Sequence, residues 1–571
     1  MKNFIFRSFL FFALLTILFL ILIFLFNPIL TAESLIFPYA IHPFDIVKVY
    51  PEVWILIKKF YFLTLFIYYS ILFHKFSNFL KLPIKHKKEK ILLNSGSELS
   101  LLVGLEDSAP IYISEKGLYQ NVLITGTIGT GKTSSAMYPF TKQLINYKAQ
   151  IEKEKLAMLI LDVKGNYHQK VLEYANEAGR LEDVIVIDLS GNFKYNPLDK
   201  PNLKPIVLAN RLKTILSLFS PNTSESYWLD KAEQVLTEAI KFCRLYNDGY
   251  VSFSELHKLI MFPDYYSEKL SITKKLFQDG KLSDSDVYNL LTCIDFFEKE
   301  FFSLDSRTIS ILKSEISRIT NFFVSDYNVS NVFCPLKRNI NFNGFKEVLD
   351  KGKIVVLNMN IAEYKNLSKI IAAYLKLDFQ TEVLSRLGNF QAIRPNSFIS
   401  DEFHEYVTTT DADFFAESRE AKCINIIATQ SYTSIKNAIK DEAASKVIIQ
   451  NLINKIWFRT DDIYTIEEAQ KQIGKEEKEK ISTTISENAK TTKLNAITNS
   501  LISSDSGLSE SYNKYTQNDY IYDTNYFSQK LETFKSLCFI SNGFKILKPK
   551  ELQMIPYYKD ILIRKDNKNE R

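Results

Sequence analysis

The sequence predicts an α/β nucleotide-binding domain with an inserted all-α domain, preceded by two N-terminal transmembrane helices. A glycine-rich loop, Gly126 to Thr133, stands between an apolar run of strand length and a helix. Further apolar runs of strand length recur along the chain, separated by segments long enough for helices, as a parallel sheet requires. From about Lys204 to Phe323 the apolar residues instead repeat with a helical period. At 571 residues the chain has room for two or three domains, because single cores rarely grow past about 250–300 residues. The five cysteines, Cys243, Cys293, Cys334, Cys423 and Cys538, are widely spaced and never form a C-x-x-C pair. That pattern excludes a disulfide framework and a zinc site, and marks them as small core residues in a reducing compartment.

Phe9 to Phe26 is eighteen residues with only Thr16 polar, enough to cross most of a hydrocarbon layer of about 30 Å. It reads as a transmembrane helix or a signal sequence. A second run, Phe60 to Phe73, has fourteen residues and needs extra length from Val53 to Ile57, with Lys58 and Lys59 snorkelling, or from Phe76 to Leu82. Its alternative reading is a buried core helix. The two spans are placed at about 9–26 and 57–76. Lys2 and Arg7 precede the first, and Lys75, Lys81, Lys85, Lys87, Lys88 and Lys90 follow the second, so the positive-inside rule puts both termini in the cytoplasm.

The formal charge of +6 is unevenly distributed. Residues 1–92 carry eleven Lys and Arg against four Asp and Glu, a net +7, which leaves the remainder at −1. The basic excess therefore belongs to the membrane segment, where Lys81 to Lys90 is expected against anionic lipid headgroups. It says nothing about a nucleic-acid-binding face on the rest.

Asn121 to Thr125 is the buried strand that leads into the loop. The spacing Gly126 to Gly131-Lys132-Thr133 is the G-x-x-x-x-G-K-[ST] pattern, in which backbone N–H groups of Gly126, Thr127, Gly129, Thr130 and Gly131 converge on phosphates without a Cβ in the way. Lys132 is expected to reach the β- and γ-phosphates and Thr133 to offer its hydroxyl to Mg²⁺. Ser134 to Tyr138 continue as a helix whose N-terminus faces the phosphates, with Pro139 as a bend point.

Leu156 to Leu161, ending at Asp162-Val163-Lys164-Gly165, reads as a second buried strand, and Val184 to Ile187 as a third, followed by the turn Asn196-Pro197-Leu198. The helical insertion then carries Leu229, Ala232, Leu236, Ala239 and Cys243 on one face, and Ile309, Leu312, Ile316, Ile319 and Phe323 on another. The sheet resumes at Ile354 to Leu357, a helix spans about Ile370 to Leu387, and strands end at Asp401-Glu402 and at Gln430. Residues 475–519 are polar without apolar period and are expected to be a mobile excursion; order returns at Cys538 and the C-terminus is a charged tail. These readings divide the chain into a membrane anchor (1–92), a first nucleotide-binding part (93–204), an all-α insertion (205–330) and a second nucleotide-binding part (331–571).

Hydrolysis of a nucleotide needs a carboxylate to position Mg²⁺ and a group to orient or deprotonate the attacking water. Asp162 and Asp401 both end apolar strands, but only Asp401 is followed by a second carboxylate. Asp401 is therefore assigned to Mg²⁺ and Glu402 to the water. Gln430, at the tip of the next strand, is expected to sense the γ-phosphate or hold the water; its alternative is a structural amide. Arg419, on a presumed helix between those strands, either reaches a neighbouring subunit's nucleotide as an arginine finger or pairs with Glu420 on the helix surface. His404 and Glu405 lack partners at metal-ligand spacing and read as supporting or structural.

Taken in order, the two spans, the Gly126 to Thr133 loop, Asp162-Val163-Lys164-Gly165, Tyr195-Asn196-Pro197-Leu198, the helical insertion, Asp401-Glu402-Phe403 and Ala428-Thr429-Gln430-Ser431 resemble the coupling proteins of type IV secretion and conjugation, the TraG/TraD-like family. The resemblance runs from the first span to about Tyr558. It implies a RecA-like P-loop motor domain with the inserted all-α domain presented to the relaxosome. It further implies a ring, commonly a homo-hexamer, at the bacterial cytoplasmic membrane, in which ATP and Mg²⁺ drive relaxase-bound single-stranded DNA into the secretion channel. Lys132 and Thr133 match the family's phosphate loop, Asp401 and Glu402 its second nucleotide motif, and Gln430 its sensor-like glutamine. One departure is Asn166, where family members often have Glu. Two other readings share parts of this pattern: a DNA-pumping ATPase of the FtsK/HerA class, and a membrane scaffold that binds ATP to assemble and recognise cargo. The first usually carries more spans and a C-terminal DNA-reading domain; the second has no need of Glu402.

Overall fold

Seven parallel strands form the centre of the main sheet; all are short, and most are apolar because both of their faces are covered. The computed structural model describes residue 52, residues 91–93 and residues 98–563, with breaks at Val163, 220–225, 389–392, 488–491, 496–499, 504–507 and 560. Both expected spans, the basic segment 81–90 and the charged tail lie outside the described residues. Among the described residues, no helix is long and apolar enough to cross a membrane. The chain divides into a unit of residues 1–89 and a unit of residues 90–571, and the elements below belong to the second.

In chain order the strands are β1 (Ile91–Leu93), β2 (Ser100–Glu106), β3 (Ala109–Ser114), β4 (Val122–Thr125), β5 (Ala157–Leu161), β6 (Val184–Ile187), β7 (Ile354–Leu357), β8 (Asn396–Ser400), β9 (Cys423–Thr429) and β10 (Asn454–Trp457). They continue with β11 (Lys475–Glu487), β12 (Thr492–Asn495), β13 (Ser500–Ser503), β14 (Leu508–Tyr520), β15 (Lys535–Phe539), β16 (Lys550–Met554) and β17 (Ile561–Ile563). Eleven of them form one sheet in the order β3-β2-β16-β15-β10-β4-β9-β8-β5-β7-β6. From β10 to β6 all neighbours are parallel, while β15, β16, β2 and β3 add an antiparallel wing. β1 pairs with β17 in parallel, apart from this sheet.

Parallel strands put their C-terminal ends on one edge, where α/β sheets place ligands. β4, the strand before the glycine loop, lies between β10 and β9, and its residues alternate between two apolar cores: Leu123 faces one, Val122 and Ile124 the other. Helices α1 (Tyr138–Asn146) and α2 (Tyr167–Glu177) cover the second of these faces through Leu144, Ile145, Val171 and Tyr174.

The first face meets the helical segment, α3 (Pro205–Ser217), α4 (Ser226–Tyr246), α5 (Phe253–Met261), α6 (Pro263–Gln278), α7 (Asp284–Ile294), α8 (Ser306–Thr320) and α9 (Tyr327–Phe333). Leu236, Leu256, Leu312 and Ile316 share a single continuous core with Leu159 and Leu161 of β5. The insertion is thus packed onto the sheet rather than built around an apolar core of its own.

Between the insertion and the sheet lies α11 (Asn366–Leu384), which follows α10 (Phe345–Lys351) and is buried on nearly every side. It carries two opposite charges inside the protein. Lys376 bonds to Tyr406 O at 2.9 Å, Thr408 Oγ1 at 3.0 Å and the Asp411 carboxylate of α12 (Asp411–Glu417). Asp378 pairs with Lys200 at 2.8 Å and with Arg211 of α3 at 3.0 Å, and accepts from the Tyr195 hydroxyl. A buried charge is tolerable only when paired and hydrogen-bonded in this way. The chain continues through α13 (Tyr432–Ile439), α14 (Glu442–Asn451) and α15 (Ile463–Ile473).

The polar stretch 475–519 contains paired strands. β11 and β14 pair antiparallel over thirteen residues, from Lys475 opposite Tyr520 to Glu487 opposite Leu508, and β12 pairs with β13 between them. A polar ribbon needs no buried face if its backbone groups bond to each other. Ile481 and Thr483 supply β-branched residues along it, and Lys480 to Asp519 at 2.6 Å ties the strands together.

Candidate active site

The loop after β4 is tied to the two neighbouring strand ends. Gly126 N–H donates to Gln430 O at 3.2 Å, just past β9, and Thr127 N–H donates to Arg459 O at 2.9 Å, just past β10. Inside the loop, Thr130 Oγ1 donates to Thr127 O at 2.8 Å, and Lys132 Nζ donates to Gly126 O and, at 3.1 Å, to Thr127 O. Burial pulls the Lys132 ammonium below the usual lysine range, although Glu402 and Asp401 oppose this. Gly131 has φ of +102°, and a Cβ there lies 2.5 Å from the Phe534 ring, so no other residue fits without displacing that ring. Thr133 to Met137 form a π-helical turn before α1, and Tyr138 N–H reaches back to Thr133 O. Pro139 stands in the first turn of α1, where its missing N–H costs no helical hydrogen bond.

Across β9, the end of β8 brings two carboxylates to this loop. Asp401 is 2 % exposed, and Thr133 Oγ1 donates to its Oδ2 at 2.9 Å. Glu402 takes a left-handed backbone, φ 52°, and its side chain stands 2.7 Å from Lys164 Nζ and 3.5 Å from Gln430 Nε2. Lys164 also lies 3.7 Å from Asp401. Burial raises the Asp401 carboxyl above the ordinary range, and the nearby Asp162 and Glu402 add to it against the opposing charge of Lys164. Burial pushes Glu402 the same way, but the Lys164 hydrogen bond and charge outweigh it, and Glu402 is held below its ordinary range. His404 Nδ1 meets Thr429 Oγ1 at 3.2 Å, and its Nε2 is 3.6 Å from Glu405, whose carboxylate pairs with Lys369 at 2.6 Å. Burial lowers the His404 pKa, so the ring is a neutral neighbour of Glu402 at pH 7.

Thr133, Asp401, Glu402 and Gln430 therefore come together. Arg419 does not join them. It sits in the turn 418–422 after α12, not on a helix, and is exposed at the N-terminal end of β9. Seven strand residues at about 3.3 Å each place it roughly 20 Å from the strand end that carries Gln430. Asp162 is engaged in its own turn, accepting from the N–H groups of Lys164 at 3.0 Å, Gly165 at 3.1 Å and Tyr167 at 3.3 Å. Sequence reasoning gave no role to Lys164. Its signal was a lysine two residues beyond a strand-end aspartate, but the adjacency of β5 and β8 is what aims it at Glu402.

Residues 395–521 match the family described as the TraM recognition site of TraD and TraG. The resemblance to TraG/TraD-like coupling proteins is thereby shown. The matched stretch runs from the start of β8 through the β11/β14 ribbon and includes Asp401, Glu402 and Gln430. No curated protein matches the chain in sequence. Among solved structures, the chain is similar to the unbound monoclinic form of the bacterial conjugative coupling protein TrwBdeltaN70, with a TM-score of 0.52, 12 % identity, and 79 % of this chain and 88 % of that chain covered. It is also similar to the plasmid coupling protein TrwB in complex with the ATP analogue ADPNP, with a TM-score of 0.52, 12 % identity and 81 % and 90 % covered. The match to TrwB in complex with ADP and Mg²⁺ has a TM-score of 0.51, 11 % identity and the same coverages. At such identities the shared property is the α/β fold with its helical domain.

Proposed function

We propose that the chain is a coupling protein of type IV secretion, an ATP hydrolase that delivers a relaxase-bound single DNA strand to the conjugation channel. The observation that carries the reading is the meeting of Thr133 and Asp401 at 2.9 Å, which joins the phosphate loop to a strand-end carboxylate pair. The residues present fit Mg²⁺ and a nucleotide: a hydroxyl and a carboxylate are hard oxygen donors, and Gly131 has no room for a side chain beside Phe534. A nucleotide and Mg²⁺ are carried to this chain from TrwB, solved in complex with the ATP analogue ADPNP and with ADP and Mg²⁺.

In this reading the loop amides from Gly126 to Gly131 bind the phosphates, with Lys132 against the β- and γ-phosphates. Thr133 and Asp401 are the groups that hold Mg²⁺, which when bound neutralises phosphate charge. Glu402 accepts the proton of the attacking water, and Gln430, within 3.5 Å of it, orients that water. Arg419, remote within one chain, acts on a neighbour's nucleotide in a homo-hexameric ring.

Two N-terminal spans anchor the ring at the bacterial cytoplasmic membrane with both termini inside, and the basic segment 81–90 rests on anionic lipid. The matched stretch, with its ribbon, is proposed to engage a TraM-like component of the relaxosome. The test is ATP hydrolysis by the full chain in nanodiscs, with and without single-stranded DNA. Hydrolysis that DNA stimulates is expected. Hydrolysis indifferent to DNA rejects the cargo, and none at all rejects the enzyme.

A further inference from the structure

The flank of the phosphate loop turned away from Asp401 and Glu402 carries an aromatic corner. In the order β16-β15-β10-β4-β9-β8 the carboxylates end β8 on one side of β4, while the segments beside β15 and β16 lie on the other. Phe534 immediately precedes β15 and Tyr558 follows β16; their ring centroids are 6.4 Å apart with planes at 77°.

Both rings are tied to the loop through backbone. Phe534 N–H donates to Thr130 O at 3.1 Å, and its own carbonyl accepts from Met554 N–H at 2.7 Å and Gln553 Nε2 at 3.2 Å. These bonds hold it at φ 65°, a conformation an aromatic residue rarely adopts, with its ring against Gly131. Tyr557 N–H donates to Ser134 O at 2.8 Å, which brings the next residue, Tyr558, to the first turn after Thr133, where that residue is 62 % exposed.

A nucleoside triphosphate that lies on this loop with its terminal phosphate toward Glu402 extends its sugar and base toward the opposite flank. We infer that Phe534 and Tyr558 are the platform on which the nucleobase of the bound nucleotide stacks. The inference rests on the reading of the loop as a nucleotide site. Two rings at nearly a right angle offer one face for stacking and one edge to close the corner, an arrangement aromatic groups favour. Stacking reads the area of a π-face and not the pattern of its edge, so purine nucleotides bind better than pyrimidine nucleotides and ATP differs little from GTP.

The test measures binding of ATP, UTP and inorganic tripolyphosphate, each with Mg²⁺, to the full chain in nanodiscs and to its Tyr558→Ala and Phe534→Leu variants. Tyr558 is exposed, so its removal leaves the fold intact, and Leu at position 534 keeps bulk over Gly131 without a π-face. The unaltered chain is expected to bind ATP about tenfold or more tighter than tripolyphosphate, with UTP between them. Both variants lose most of that margin while their tripolyphosphate affinity stays the same. If ATP and tripolyphosphate bind the unaltered chain equally, or if the variants weaken both alike, the platform is wrong and the phosphate loop stands. If none of the three binds the unaltered chain, the nucleotide reading fails and takes the platform with it.

Discussion

Lys164 Nζ stands 2.7 Å from Glu402 Oε1, so a lysine at the end of β5 holds the proposed general base on the adjacent strand as a carboxylate. With Lys164 present, Glu402 titrates below its ordinary range; with Lys164→Met, the burial that pushes it up is no longer offset. A depressed carboxylate is ionised at and above its ordinary pKa and is lost as the pH falls through the lowered value. The acid limb of the pH–kcat/KM profile of Lys164→Met, which reports the unliganded protein, is therefore expected at higher pH than in the parent. A profile that stays in place, or moves to lower pH, contradicts the role.

Lys132→Ala is expected to abolish ATP binding, because Lys132 is the side chain placed against the ground-state phosphates. Glu402→Gln is expected to bind ATP normally and to lose about 10²–10⁴-fold in kcat, the usual worth of a positioned general base. Equilibrium binding and single-turnover hydrolysis separate the two. Near-parental turnover by Glu402→Gln shows that the water is activated elsewhere.

Arg419 is exposed at the far end of β9, so it can act only across a subunit boundary. Arg419→Ala and Lys132→Ala subunits are expected to be nearly inactive alone and to recover part of the activity when mixed, since each completes the other's defective site. Mixtures that assemble but stay inactive assign the finger to another residue.

At the base of the ribbon, Ile521 N–H donates to Gly474 O at 3.3 Å, which leaves the two ends close enough for a short turn. Replacing residues 476–519 with two or three glycines is expected to leave ATP hydrolysis within about twofold of the parent while abolishing capture of the relaxosome component in a pull-down. Loss of hydrolysis along with capture makes the ribbon part of the motor.

Lys455 of β10 is 3 % exposed, with Nζ bonded to Ile449 O and Leu452 O, and burial lowers its pKa to about 7. Between that value and the ordinary 10.5 the unfolded chain carries a proton that the folded chain lacks, so folding stability rises with pH across this window. In Lys455→Met the gain in thermal midpoint between pH 7 and pH 9.5 is expected to shrink. An unchanged gain places the titration on other groups.

The central strands were legible because residues buried on both faces read as unbroken apolar runs, as in Ala157 to Leu161 and Ile354 to Leu357. β10 escaped that rule: Asn454 and Lys455 are buried but polar, and their side chains bond to backbone carbonyls. β16 escaped it too, since only alternate residues, Leu552 and Met554, are covered. In the site, Thr133, Asp401 and Glu402 were legible because a phosphate loop and a strand-end acid pair are local patterns. Lys164 beside Glu402 and Phe534 over Gly131 depend on lateral strand order, which no local pattern encodes. Arg419 was misplaced on a helix because α12 ends two residues earlier.

The charges on α11 also limit how this protein can change over generations. A mutation that removes only Asp411 leaves the Lys376 ammonium without its counter-charge in the interior, a loss of about 3–5 kcal/mol from a domain stable by only about 5–15, whereas Asp378 keeps Lys200 when Arg211 is lost. A lineage can cross that gap only by altering both partners together. Lys376 and Asp411 are therefore inherited as a linked pair, and homologues are expected to keep or exchange the two as a unit.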